Sequence, residues 1–122
     1  MNDRLSWLQI SLLVTYAVAM AGGQILFKLA ALRGPASGDF SERLGAMAAN
    51  KFFAAAIGLY AVLTLLWVWI LSFTPLSRAY LFVALAFAIT PFAGGVVFGE
   101  PITMRLAIGV AVIVFGLIIV AG

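Results

Sequence analysis

Four polar side chains interrupt long apolar runs and could do chemistry: Gln24, Lys28, Arg78 and Glu100. Gln24 and Lys28 are four residues apart, as are Met20 and Gln24, so on a helix all three share one face. A charge deep in a bilayer costs roughly 2.5–3.5 kcal/mol on insertion scales. Lys28 therefore either lines a polar path or snorkels its ammonium to the interface. An amide in the middle of an apolar helix needs a partner, so Gln24 binds either a substrate or a neighbouring helix. Arg78 stands where a helix begins. There, free N–H groups, the positive end of the dipole and a bidentate guanidinium would suit a phosphate, or the residue is an ordinary interfacial anchor. Glu100 could pair with Lys28 or stand alone at the interface. These groups can hold and pass on a charged head; they do not make a catalytic set.

The rest of the composition points the same way. The 122 residues contain no cysteine and no histidine. Thiol chemistry, disulfides, Cys/His zinc sites and histidine triads are thereby excluded. Four acids, Asp3, Asp39, Glu42 and Glu100, are too few for a carboxylate metal cage. We therefore expect no cofactor and no enzyme. The net charge of +3 is small and scattered, so no nucleic-acid partner is expected.

Elements that could position these residues follow from the charges. Residues 5–27, 52–77, 79–99 and 106–122 carry none, and only 9% of the chain is charged against 66% hydrophobic. A soluble domain carries about 25% charged residues, so lipid must be the solvent here. About 20 helical residues cross a bilayer core, and backbone polar groups in lipid must be paired within the element. The chain reads as an all-α, single-domain bundle of four transmembrane helices over 6–29, 52–73, 77–98 and 102–121. The first run continues past Gly22–Gly23 into Lys28 without a cleavage pattern, so it reads as a span and not a signal peptide.

The one polar stretch, Arg33 to Asn50, opens with Gly34-Pro35 and carries Ser37-Gly38-Asp39. Ser41 could cap a short interfacial turn there. Thr74-Pro75-Leu76-Ser77 and Gly99-Glu100-Pro101 join the later helices so tightly that these must be antiparallel neighbours. Ser77 and Thr103 are candidate caps. Pro91 should kink the third helix. Gly109 and Gly116, with Val112 between them, form a small-residue packing seam on the fourth; Gly22-Gly23 and Gly94-Gly95 mark other close approaches or flexible points. Trp7, Trp67 and Trp69 suit interface or lipid-facing positions. Arg4 and Arg78 fall on one side of the membrane, and Lys28, Arg33, Arg43, Lys51 and Arg105 on the other. The positive-inside rule puts the larger group in the cytoplasm.

The segments Pro75-Leu76-Ser77-Arg78-Ala79-Tyr80, Phe98-Gly99-Glu100-Pro101-Ile102-Thr103 and Gly109 to Gly116, with Gly22-Gly23-Gln24 and Lys28, resemble the drug/metabolite transporter superfamily. The match spans most of the chain except the first loop. Small multidrug resistance exporters carry a proton-coupling glutamate in their first helix. Alignment on Gly23 and Lys28 puts Met20 there, and the exporters' helix 3 tryptophan falls on Val83. The glutamate-free branch, EamA-like subunits similar to the undecaprenyl-phosphate–aminoarabinose flippase, has a Gly-Gln pair ahead of a lysine and a longer first loop, as here.

The resemblance implies an inner-membrane, multi-pass transporter of a lipid-linked sugar phosphate or other amphiphilic anion, working by alternating access. Its implied substrate-binding residues are Gln24, Lys28, Arg78, Tyr80 and Glu100. It also implies a homodimer, or a heterodimer with a related subunit, packed through Gly109 and Gly116. A small-metabolite or drug exporter of the same fold and a non-transporting membrane scaffold are the alternatives.

Overall fold

A computed structural model of the protein describes residues 6–34 and 38–121. These form five helices: α1 Trp7–Leu32, α2 Phe40–Ala48, α3 Lys51–Leu71, α4 Leu76–Phe98 and α5 Met104–Ala121. Asp3, Arg4, Pro35 and Ser37, which the sequence reading used for charge and turn signals, lie outside the described residues.

Each start and stop has a local cause. Ser6 and Gln9 form a reciprocal capping box at α1: the Gln9 N–H donates to Ser6 Oγ at 3.1 Å and the Ser6 N–H to Gln9 Oε1 at 2.8 Å. α1 runs on past the expected end to Leu32, so Lys28 lies a full turn inside the helix. The cap of α2 is Asp39, not Ser41: its carboxylate accepts from the Glu42 N–H at 2.8 Å, and Ser41 donates to the same carboxylate. A carboxylate meets the positive helix end better than a hydroxyl does. Asn50 caps α3 by accepting from the Phe52 and Phe53 N–H groups. Ser77 likewise does not cap α4. Pro75 occupies the cap position, because its fixed φ leads directly into the first turn, and its carbonyl accepts from Arg78 and Ala79. α4 ends at Gly99 in the left-handed conformation (φ 69°), a backbone state that costs glycine least. Thr103 does cap α5, accepting from the Leu106 N–H at 3.1 Å.

Three of these helices, α1, α3 and α4, are long and apolar enough to cross a membrane. Where a fourth span is expected over 102–121, the structure has the shorter apolar helix α5. Large apolar side chains lie bare on the surface of the long helices: Leu65 is 74% exposed, Val96 84% and Phe115 64%. Patches of this extent on a soluble monomer would aggregate.

The long helices do not close into a ring. α1 packs on both α3 and α4, and α5 packs chiefly on α4, giving the spatial order α3–α1–α4–α5. The tightest core lies near the start of α1, where buried Leu13, Ile70, Ala79 and Phe82 meet, with Tyr16, Trp67 and Leu117 packed around them. Tyr16 and Trp67 stack at 4.9 Å. Further along α1, the buried positions are the small residues Ala17, Ala21, Gly23 and Ala30, which bring neighbouring backbones close. Pro91 does not break α4, which continues to Phe98.

Candidate functional site

Gln24 finds its partner on α3. Its Nε2 donates to the Tyr60 hydroxyl at 2.8 Å, and that hydroxyl in turn donates to the Met20 carbonyl at 3.0 Å. A tyrosine hydroxyl inside a span must be satisfied within the protein, and this one bonds to two points of α1. The fit depends on Gly23: a Cβ there would collide with the Tyr60 ring. Phe27 stacks on that ring at 5.3 Å.

Beside this network a groove of about 330 Å³ opens between α1 and α4, lined by Met20, Gln24, Val83, Ala86, Phe87, Thr90 and Pro91. Pro91 has no N–H, so the Phe87 carbonyl one turn earlier has no helical donor. Gln24 and Thr90 bring polar side chains to an otherwise apolar groove, and Phe87 and Pro91 form part of its α4 wall. Phe87 and Pro91 also wall a second hollow, of about 440 Å³, on the α5 side of α4. Thr103, Arg105, Leu106, Gly109, Val110 and Ile113 complete its lining. The two hollows flank one stretch of α4.

The structure divides the residues singled out in the sequence. Gln24 lines the groove. Lys28 is exposed one turn further along α1. Glu100 does not reach Lys28. Its carboxylate folds back beside Gly94, and among the described residues no ion pair joins the two. The reason is the tight turn after Gly99, which returns the chain onto the end of α4, with Ile102 against Gly95. Arg78 is also committed elsewhere, donating to the Val120 carbonyl at 3.0 Å, where a cation complements the negative end of α5. Tyr80 is 64% exposed; at 1.5 Å per residue it lies about 16 Å along α4 from Pro91. Gly109 and Gly116 have open space where a Cβ would go, so none of the described residues packs closely against either glycine.

Sequence reasoning missed Tyr60, Thr90 and Arg105 as neighbours of these hollows. Tyr60 carried a signal, a hydroxyl in the middle of an uncharged run. Which helix satisfies it depends on packing that spacing alone does not give.

These features define a multi-pass helical membrane protein with a largely apolar groove between α1 and α4 that carries the Gln24 amide. The chain belongs to the family of aminoarabinose-phosphoundecaprenol flippase subunits, which is small-multidrug-resistance-like. It is 32% identical over 105 residues to the 4-amino-4-deoxy-L-arabinose-phosphoundecaprenol flippase subunit ArnF of Pseudomonas fluorescens, covering 81% of this chain and 77% of the relative. It is also 32% identical over 71 residues to the subunit ArnE of an Enterobacter species, covering 58% of this chain and 66% of that one. No protein-family model and no solved structure matches it.

Proposed function

We propose that this protein is one subunit of an inner-membrane transporter that carries a polyprenyl-phosphate-linked amino sugar across the bilayer. The sugar passes through the groove beside Gln24 while the polyprenyl tail stays in lipid. The observation that carries this reading is Gln24, held by the Tyr60 hydroxyl and lining, with Met20 and Thr90, an open groove whose lining residues include no carboxylate. A cation exporter needs an acid at that point, whereas a sugar needs hydrogen-bond donors and acceptors. The relatives' named substrate bears an amine and a phosphate. The Phe87 carbonyl freed by Pro91 would accept from the amine. Lys28 and Arg105, near the end of the bundle that also holds Glu100, would meet the phosphate.

On this reading α5 is the fourth span: its 18 residues reach about 27 Å, close to the hydrocarbon thickness. The open glycine face of α5, Gly109 and Gly116, receives a second subunit, identical or related. Lys28, Arg33, Arg43, Lys51 and Arg105 face the cytoplasm. Labelling of single cysteines in the 38–43 region with an impermeant reagent tests the orientation: labelling from outside intact cells would reverse it. For the groove, Gln24→Ala and Lys28→Ala should lower delivery of the lipid-linked sugar per unit of assembled protein. Resistance to cationic drugs rising or falling with them would favour the small-molecule exporter instead. Normal transport in both would favour a scaffold role.

A further inference from the structure

A separate hollow of about 350 Å³ lies where α1 ends and α3 begins, lined by Arg33, Gly34, Ala46, Ala49, Asn50, Lys51 and Phe52. Arg33 Cζ and Lys51 Nζ each stand 5.5 Å from the centroid of the Phe52 ring, so two cations gather around one aromatic ring. No acidic side chain is among the lining residues.

Arg33 follows α1 and suits its negative end, but Lys51 is the first residue of α3, at the positive end of that helix, where a cation is disfavoured. Two like charges around one ring, one of them also opposing a dipole, are an arrangement that an anion would relieve. The site does not depend on free helix amides, because Asn50 already accepts from the Phe52 and Phe53 N–H groups. The frame is fixed: Asn50 Nδ2 donates to the Ala30 carbonyl at 2.9 Å, tying the two helix ends together. Gly34, Ala46 and Ala49 leave room for the ligand.

The depth of the hollow follows from α2. Phe40 and Leu44, one turn apart, are 76% and 54% exposed. A short helix with bare apolar residues on one face and Arg43 and Glu42 beside them lies in the membrane interface. Its far end, Ala46 and Ala49, forms one wall of the hollow. The cations therefore sit at headgroup level.

We propose that this hollow binds the phosphate of an anionic phospholipid headgroup, with Arg33 and Lys51 gripping the phosphodiester and Phe52 lying under the glycerol. The site is distinct from the groove beside Gln24 and does not rest on the transport reading. A zwitterionic choline head fits poorly, because its own cation would meet two more.

The full chain, purified in detergent, is mixed with equal amounts of phosphatidylglycerol and phosphatidylcholine and weighed by native mass spectrometry. Wild type should retain phosphatidylglycerol in preference, on the order of tenfold. Arg33→Gln/Lys51→Gln should abolish the preference, while Arg78→Gln, which changes a basic residue at the other end of the bundle held by the Val120 carbonyl, should keep it. Arg33→Lys/Lys51→Arg preserves both charges and should keep most of it, which separates charge loss from misfolding. Equal retention of the two lipids by wild type, or an undiminished preference in the double glutamine variant, would overturn the proposal. Displacement of phosphatidylglycerol by micromolar inorganic phosphate would overturn the lipid assignment, since a bare anion would then be the ligand.

Discussion

The two ends of the long helices are built differently. At the end where α1 begins, large side chains fill the contact: Leu13, Ile70 and Phe82 are buried together, and Tyr16 stacks on Trp67. Polar groups there are used to fasten. Gln9 Nε2 donates both to the Phe73 carbonyl and to Thr74 Oγ1 at 3.0 Å, and Arg78 holds the end of α5. At the other end, glycine and alanine on α1 let the backbones close in around one aromatic stack of Phe27 on Tyr60, a proline removes a backbone donor, and the groove stands open beside Gln24. One end resists rearrangement through packing. The other holds groups whose hydrogen bonds can be exchanged for those of a ligand at small net cost. A transporter needs both, a frame that persists and a site that changes partners.

The contrast is broken most severely by emptying the packed end. Leu13→Ala or Ile70→Ala leaves a cavity among close-packed side chains and should cost about 2–5 kcal/mol. Reversible unfolding in mixed micelles measures this, and transport per folded molecule should change little. Gly23→Ala attacks the other end. The added methyl displaces the Tyr60 ring, at a cost of about 1–3 kcal/mol for overpacking, and should abolish transport while most of the protein remains folded.

A gentler change sharpens the distinction. Tyr60→Phe keeps the ring and removes only the hydroxyl, so stability should fall by roughly 1 kcal/mol, the scale of an interhelical hydrogen bond. Transport should fall far more, because Gln24 loses the group that orients it. Arg78→Ala should do the reverse, fraying the last turn of α5 by about 0.3–1 kcal/mol with transport intact.

The smallest effect lies in the first loop. The Asp39 carboxyl is held below its ordinary value, first by the Glu42 N–H and then by Ser41. A depressed folded-state pKa means the cap is complete above the unfolded value of 3.8 and is lost as pH falls through the folded one. Amide exchange at Glu42 should therefore quicken only in strong acid. Asp39→Asn, which caps without titrating, should remove that dependence.

Much of this could be read in the sequence because lipid imposes simple rules. Uncharged runs had to be helices, so the long elements were legible to within a few residues. Gly99 and Thr103 marked their boundaries through local backbone chemistry. Side-chain caps were less legible where two candidates competed: Asp39 outranked Ser41 and Pro75 preceded Ser77. The site was legible only in part. Gln24 stood out because a polar group in lipid needs an account, but its partner Tyr60 lies 36 positions away on another helix, and no local pattern joins them. Lys28 and Glu100 finish on the same side of the bundle and so invited pairing. The turn after Gly99 sends the carboxylate back onto α4 instead, a matter of three-dimensional direction that charge spacing does not encode.

The central claim is that the polar network at the open end serves transport and not the fold. It is tested most directly by Gln24→Ala, measured as lipid-linked amino sugar reaching the outer face of the membrane per molecule of assembled protein. Unfolding of the same variant is followed alongside. The account predicts at least a tenfold loss of delivery with a stability change near 1 kcal/mol, the size of one interhelical hydrogen bond. Unchanged delivery by a folded Gln24→Ala protein would contradict it and reduce the network to a structural clasp between α1 and α3.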